Sequence, residues 1–251
     1  MDTKTYTAEE FDQHLNREHR LSAFSTYLKE IVYGGVDGIV TTFAVVAGFT
    51  GAQTGDSTIT ALSVTTVLLF GFANLFADGV SMGLGNILSV RADQDVYRRE
   101  KEKERKEIKK NRSAEIAETV FILKQEGFND KQARSLTEIY ATNEEYWLKF
   151  MMNNELEMTS PENDKPVLTG LSTFVSFILF GAIPIFPYVF LRHDPNIFVI
   201  SSVATAGALI MLGILRYRVT KETLTRSVGE VVLLGGLSSF IAYLVGTFFR
   251  A

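Results

Sequence analysis

Five stretches of the chain contain no ionisable side chain and are largely apolar. They span residues 38–55, 57–77, 166–191, 195–215 and 231–249. A helix needs about 20 apolar residues, at 1.5 Å per residue, to cross about 30 Å of hydrocarbon. Pro184 and Pro187 fall inside the third stretch and predict a kink or a helix end there. The pattern therefore predicts an all-α polytopic membrane protein with five transmembrane helices.

The first two predicted helices extend beyond their uncharged stretches. We expect the first to begin near Ile31 and the second to continue to Val90, which places Asp37 and Asp78 inside helices. A carboxylate in hydrocarbon costs at least about 2.5 to 3.5 kcal/mol on insertion scales, so it usually faces a protein interior or a water-filled path. Both aspartates are functional candidates, unless Asp37 only caps a broken helix near the membrane surface.

Other polar and small residues accompany these aspartates. Thr41 lies one turn after Asp37, and Asn74 and Met82 lie one turn either side of Asp78. Carboxylate, amide oxygen and thioether together favour a divalent transition metal over sodium or a sugar.

Glycines four residues apart let two helices approach closely, so two such pairs predict tight packing of the first two helices. These pairs are Gly34 with Gly38 and Gly79 with Gly83.

Charge is concentrated in one segment. Residues 91–165 hold 15 of the 25 Lys and Arg and 17 of the 29 Asp and Glu. The net charge of -4 provides no basic surplus for nucleic acid. Outside this segment, Lys and Arg favour the side of the N-terminus, the distribution found on cytoplasmic sides. We predict segments 1–30 and 91–165 in the cytoplasm, helices in 31–90 and 166–251, and the C-terminus outside.

Glutamates in this charged segment share a helical phase. If one helix runs from residue 91 to about 124, Glu104, Glu107, Glu115 and Glu118 fall within about 80° of one another at 100° per residue. A stripe of like charges repels itself unless a cation binds to it, and clustered carboxylates bind divalent ions. Chance sorting or a basic partner would also produce a stripe, and a turn at Asn111–Ser113 would disrupt the phase.

A second amphipathic stretch, residues 131–152, is expected to bury Ala133, Leu136, Ile139 and Tyr140. Beyond that face, Met151 and Glu155 lie four residues apart and present sulfur beside carboxylate. Paired methionines next to aromatic residues, such as Met151 and Met152, are more often core residues than ligands.

Several chemistries lack the residues that they need. The three histidines have no metal-ligand spacing, which argues against a His-based zinc or di-iron site. The sequence contains no Gly-rich phosphate loop and no Gly-x-Ser-x-Gly motif. We therefore predict that the chain is not an enzyme and holds no permanently bound cofactor.

Three sequence segments resemble those of a known family, the vacuolar iron transporters. They are Tyr-Gly-Gly-Val-Asp-Gly from Tyr33, Gly-Val-Ser-Met-Gly-Leu-Gly-Asn from Gly79, and Gly-Ala-Ile-Pro-Ile-Phe-Pro-Tyr from Gly181. The five-helix layout with a charged insert after the second helix is similar too. The resemblance implies a dimer that exchanges Fe²⁺ or similar divalent ions for protons and moves metal out of the cytoplasm.

The resemblance also implies roles for individual residues. Asp37 and Met82 would line the transport path. The cytoplasmic metal-binding domain would use Glu104, Glu107, Glu115, Glu118, Met151, Met152 and Glu155. The chain departs from the family by carrying Asn74 and Asn86 where many members have glutamate. Asp78, one turn after Asn74, is a candidate replacement for the missing charge in the path.

The favoured hypothesis is a homodimeric exporter of Fe²⁺, with Mn²⁺, Zn²⁺ or Co²⁺ as other cargoes, driven by proton antiport. It would lie in the plasma membrane of a bacterium or a vacuole-type membrane of a eukaryote. One alternative is a membrane-anchored metal sensor or buffer that transports nothing. Another is a transporter of an organic cation or amino acid, with Asp37 and Asp78 as counter-ions.

Overall fold

The computed structural model describes residues 7–15, 22–52 and 61–249, and the regular structure in these ranges is helical. The helices are α1 (Ala8–His14), α2 (Ala23–Thr26), α3 (Leu28–Ala52), α4 (Ala61–Lys110), α5 (Arg112–Gln125), α6 (Asp130–Tyr140), α7 (Glu144–Asn154), α8 (Pro166–Gly181), α9 (Phe186–Phe190), α10 (Ile197–Thr220) and α11 (Leu224–Phe248). They form two compact units. The first comprises residues 1–86 and 167–251, and the second residues 87–166.

The first unit contains the apolar helices. Among the described residues, four helices are long and apolar enough to cross a membrane: α3, α4, α10 and α11. The charged residues that begin at Arg91 place the apolar part of α4 before that position. The third predicted stretch contains the shorter apolar helix α8, which ends at Gly181, and the short helix α9, which has a proline in its first turn. The prolines thus interrupt this stretch, as predicted.

The predicted helix limits are partly corrected. Helix α3 begins at Leu28 rather than near Ile31 and includes the polar residue Glu30 in its first turn. Asp37 and Asp78 both lie inside helices, as predicted. The junction between the first two apolar stretches, residues 53–60, lies outside the described residues.

The glycine pairs themselves pack against α8, whereas the first two apolar helices meet through buried side chains that include Phe43, Val46 and Val67. A Cβ atom at Gly34 would lie 2.6 Å from the Thr173 carbonyl oxygen. On α4, a Cβ at Gly83 would lie 3.1 Å from the Gly170 carbonyl oxygen. Side-chain hydrogen bonds hold the same helices together: the Ser176 hydroxyl donates to the Ile31 carbonyl at 2.6 Å. The α3 and α4 glycines therefore both accommodate the backbone of α8.

The second unit contains the charged end of α4 with α5, α6 and α7. The single helix predicted from residue 91 to about 124 is wrong, because the backbone breaks at Asn111 (φ -121°, ψ 38°) and α5 begins at Arg112. The glutamates therefore lie on two helices. The stretch 131–152 is also divided, between α6 and α7, and Ile139 is 62% exposed rather than buried. Ala133 is buried as expected.

An apolar core and a set of ion pairs join the helices of this unit. Trp147, Leu148, Met151 and Met152 of α7 are fully buried and pack with Ile108 of α4. Basic side chains of α4 pair with acidic residues of the first turn of α7. The pairs are Arg105 with Glu145 at 2.9 Å and Lys109 with Glu144 at 3.1 Å. These basic groups are thereby engaged by partners on α7.

Replacing Gly38 with alanine tests the close approach of α3 to α8. The added Cβ would overlap the Phe177 carbonyl oxygen, which belongs to the backbone and cannot rotate away. We expect a loss of about 1 to 3 kcal/mol of stability, although alanine is the better helix former. The matched control is Gly85→Ala, where a Cβ meets nothing within 4 Å. Thermal loss of helical circular dichroism should shift down for Gly38→Ala alone, and equal shifts would contradict this packing.

Candidate metal centre

Three glutamates from three helices of the second unit converge. Glu104 comes from α4, Glu115 from the first turn of α5, and Glu155 from the C-terminal cap of α7. Each provides a carboxylate oxygen, and these oxygens lie within 4.8 Å of one another. The break at Asn111 makes this possible, because it lets α5 turn Glu115 back towards Glu104. The arrangement could hold a metal ion.

Two of these carboxylates are withdrawn from water and form no ion pair within the described part of the chain. Glu104 is 2% exposed and Glu115 is 4% exposed, whereas Glu155 is exposed. One oxygen of Glu104 and one of Glu115 have no hydrogen-bond donor among the residues that the structure describes. Burying a charge without a partner is costly. The pair therefore requires a proton or a cation.

In the absence of a metal, burial and mutual repulsion raise the pKa of all three groups. Burial is the largest cause for Glu104, followed by the charges of Glu155 and Glu115, and together they raise its pKa to about 8. Burial also raises the pKa of Glu115, although a hydrogen bond with Glu104 lowers it in part. Burial and the charges of Glu118 and Glu107 raise the pKa of Glu155. A proton on Glu104 can thus be donated to Glu115.

Glu107 and Glu118 lie around this cluster rather than within it. Their charges act on the three converging carboxylates, and Glu107 lies 4.0 Å from Lys103. Glu118 and Glu155 line an open cavity of about 550 Å³, together with Ala114, Ala117, Phe121, Ile122 and Asn154. The cavity provides a route by which an ion could reach Glu155.

The two neighbouring methionines, Met151 and Met152, lie in the same core but differ in their polar contacts. Met151 and Met152 are both fully buried in the apolar core. The Met151 sulfur lies 3.3 Å from the Thr119 hydroxyl, beside a carboxylate-bearing helix. Both methionines therefore fit the core-filling interpretation, and Met151 adds a polar contact one turn from Glu155.

The membrane candidates lie in the first unit and do not form one cluster. Asp37 lines an open groove of about 570 Å³ between α3, α10 and α11, but Asn74, Asp78 and Met82 do not line it. Asp37 and Asp78 are near enough for their charges to interact. Met82 instead packs with the apolar cluster around Phe177. The Thr41 hydroxyl donates to the Asp37 carbonyl at 2.8 Å, so it supports its own helix.

The groove that Asp37 lines also contains charged residues that the sequence did not identify as site candidates. Arg216 and Glu230 line it and form an ion pair at 2.6 Å, which links α10 to α11. Lys29 lines the groove as well. Their positions at the charged ends of apolar stretches were visible in the sequence, but their approach to Asp37 depends on how the helices pack.

The apolar helices and the carboxylate cluster define a class: a helical membrane protein with a site suited to a divalent cation. The chain belongs to the VIT family, whose model matches residues 28–247. The resemblance noted from the helix motifs is thereby confirmed.

The chain is similar in sequence to proteins that are named vacuolar iron transporters. "Vacuolar iron transporter 1" of Arabidopsis thaliana is 31% identical over 216 residues, which cover 86% of this chain and 83% of the relative. The "Vacuolar iron transporter" of Toxoplasma gondii is 31% identical over 241 residues, covering 92% and 77%. That of Plasmodium falciparum is 31% identical over 228 residues, covering 87% and 81%. These are transporters, which confirms the prediction that the chain is not an enzyme.

The raised pKa of Glu104 predicts how pH affects the metal-free protein. The folded group keeps a proton up to about pH 8, whereas the unfolded group loses it near 4.5. Its contribution to stability is therefore complete below pH 4.5 and is lost as pH rises through about 8. Emission from Trp147, the one tryptophan of the chain, reports unfolding of the second unit in the full-length protein.

With a chelator present, we expect the unfolding temperature reported by Trp147 to fall between pH 6 and pH 8.5. The Glu104→Gln variant should show a smaller fall, because glutamine carries no titrating group. A wild-type temperature that is constant or rises over this range, or an identical dependence in Glu104→Gln, would contradict the assignment.

Proposed function

We propose that the protein exports divalent metal ions from the cytoplasm, with Fe²⁺ as its main cargo and Mn²⁺, Zn²⁺ or Co²⁺ as others. The observation that carries the proposal is the convergence of Glu104, Glu115 and Glu155. One oxygen of Glu104 and one of Glu115 lack a hydrogen-bond donor among the described residues. A doubly charged ion neutralises such a cluster, and carboxylate oxygens are ligands for hard and borderline divalent metals. The names of the relatives support iron as the cargo.

The metal-binding domain is proposed to capture the ion on the cytoplasmic side. Glu104, Glu115 and Glu155 bind it, Met151 supplies a sulfur, and Glu107 and Glu118 attract it towards the cluster. Met152, buried in the same apolar core, is proposed as a further sulfur donor of the domain. The open cavity beside Glu118 and Glu155 supports this direction of entry.

The proposed topology has five crossings, with α8 and α9 together forming the third. The N-terminus and residues 91–165 are cytoplasmic, and the C-terminus is outside. The excess of Lys and Arg in the segments assigned to the cytoplasm supports this orientation. The membrane is a plasma membrane in a bacterium or a vacuole-type membrane in a eukaryote.

Asp37 is proposed to carry the ion across the membrane, and Asp78, Asn74 and Met82 of α4 are proposed to line the same path. An aspartate on a transmembrane helix, beside an open groove, needs a surrounding that excludes lipid from it. A second copy of the chain would provide it, which favours a homodimer with Asp37 at a shared path.

Proton antiport follows from competition for the same oxygens. A carboxylate that holds a proton binds a cation weakly, so protons that enter from outside would displace metal from Asp37 or Asp78. The ion released by this exchange leaves on the outer side, and the proton moves inwards.

Asp37→Asn tests the membrane path. The amide removes the charge and retains the shape, so we expect Fe²⁺-driven proton movement in anaerobic proteoliposomes to fall below about a tenth of the wild-type rate. Wild-type protein that binds metal but moves neither metal nor protons would support a sensor or buffer instead. Unchanged flux in Asp37→Asn would contradict the path.

Glu115→Gln tests the capture step. Loss of one buried carboxylate weakens binding of the ion, so we expect the metal concentration for half-maximal transport to rise about tenfold or more. The matched control is Glu138→Gln, an exposed glutamate on α6, which should leave it unchanged. If both variants transport like wild type, the cluster is not a capture site, and an organic cation becomes the better cargo.

A further inference from the structure

Thr119, Trp147 and Met151 meet in the core of the second unit, next to the carboxylate cluster. The Trp147 indole nitrogen donates a hydrogen bond to the Thr119 hydroxyl oxygen at 2.8 Å. That hydroxyl also lies 2.7 Å from the Glu115 carbonyl oxygen and 3.3 Å from the Met151 sulfur. All three side chains are fully buried. None of the roles argued above requires Thr119 or Trp147.

The hydrogen bonds fix the direction of the Thr119 hydroxyl. An indole N–H only donates, so Thr119 accepts from Trp147 and has one hydrogen left to donate. The Glu115 carbonyl is the stronger and nearer acceptor, because thioether sulfur accepts weakly. The hydrogen is therefore directed mainly at the carbonyl and in part at the Met151 sulfur, whose second lone pair remains available to a metal.

The order of contacts along the two helices places this triad beside the cluster. Glu115 and Thr119 are four residues apart on α5, and Met151 and Glu155 are four apart on α7. Residues at this spacing lie on one helical face, about one turn apart. Because Glu115 meets Glu155 and Thr119 meets Met151, the sulfur lies one turn from the carboxylates.

Trp147 is itself held in place from the other side. The Arg112 guanidinium lies over the indole ring at 5.2 Å and donates to the Ala141 carbonyl at 2.7 Å. The ring therefore has little freedom to rotate, and the position of its N–H is fixed. This constraint passes to the Thr119 hydroxyl and to the sulfur that it contacts.

We propose that Thr119 and Trp147 are positioning residues that hold the Met151 sulfur towards the carboxylate cluster and so determine its preference among divalent metals. A thioether adds affinity for the softer ions Co²⁺ and Fe²⁺ and little for Mn²⁺, which prefers oxygen ligands. The inference rests on the proposed function, because it presupposes that the cluster binds metal.

Thr119→Val tests the inference, because valine has the shape of threonine without the hydroxyl. Full-length protein in detergent is titrated with Co²⁺ or Mn²⁺ in competition with a fluorescent chelator, which measures affinity independently of Trp147. We expect Co²⁺ to bind about tenfold or more weakly, the effect typical of a residue behind a ligand, and Mn²⁺ to change by less than about threefold. Thr119→Ser, which keeps the hydroxyl, should restore Co²⁺ affinity.

A double-mutant cycle with Met151→Leu separates positioning from general damage. If Thr119 acts through the sulfur, Thr119→Val adds no further loss of Co²⁺ affinity to a Met151→Leu protein. Additive losses, equal losses for both metals, or failure of Thr119→Ser to restore binding would overturn the inference. Wild-type protein that binds neither metal would overturn the proposed capture site itself, and unchanged Thr119→Val affinity in a binding-competent protein would overturn only the positioning role.

Discussion

Glu104, Glu115 and Glu155 bring carboxylate oxygens to within 4.8 Å of one another, where two of the groups are almost inaccessible to water. At that separation the repulsion of each ionised pair is on the order of a few kcal/mol, for an effective dielectric constant near 20. The apolar core of α7 and the ion pairs between α4 and α7 hold the three helices together despite this repulsion. The unit thus maintains a concentration of negative charge that a proton or a divalent cation relieves.

The basic residues of α4 are arranged to leave this charge in place. Arg105 and Lys109 pair with the first turn of α7, and Lys101 pairs with Glu162 at 3.0 Å. Lys103, near Glu107, lowers the pKa of Glu155 in part. The ion pairs between α4 and α7 therefore occupy two of the cations that could otherwise have turned towards the cluster.

The helices of the first unit must associate without help from the hydrophobic effect, because lipid is as apolar as their side chains. Close packing has to hold them together instead. Glycines on α3 and α4 let both helices approach the backbone of α8, and Ser176 adds a hydrogen bond to α3. Asp37, one residue before Gly38, remains at the edge of this packing and opens to a groove. A carboxylate is thereby kept accessible within the apolar part of α3.

Local features of the sequence predicted local features of the structure. The lack of charge in apolar stretches located α3, α4, α10 and α11, and the prolines located the interruption after α8. Helical phase grouped Glu104 with Glu115, although for the wrong reason, because the chain breaks at Asn111 and the two residues converge from separate helices. The turn at Asn111–Ser113 that the sequence left open is present at Asn111, the N-cap of α5, although its side chain makes no cap hydrogen bond.

Contacts between distant residues could not be predicted in this way. The glycine spacing predicted that helices approach one another closely, but it did not identify α8 as the partner. Any helix backbone can pack against a surface of glycines. Thr119 and Trp147 had no motif, and their hydrogen bond depends on how α5 and α7 pack. Glu155 was grouped with Met151 by spacing, but its approach to Glu104 on another helix required the tertiary structure.

Anomalous diffraction from crystals grown with Co²⁺ would test the central claim most directly, because it locates the ion independently of any transport assay. The account predicts an anomalous peak about 2.0 to 2.3 Å from carboxylate oxygens of Glu104, Glu115 and Glu155, a distance usual for such ligands. A map at saturating Co²⁺ with no peak among these three residues, and with their oxygens bound instead to lysine or arginine, would contradict it.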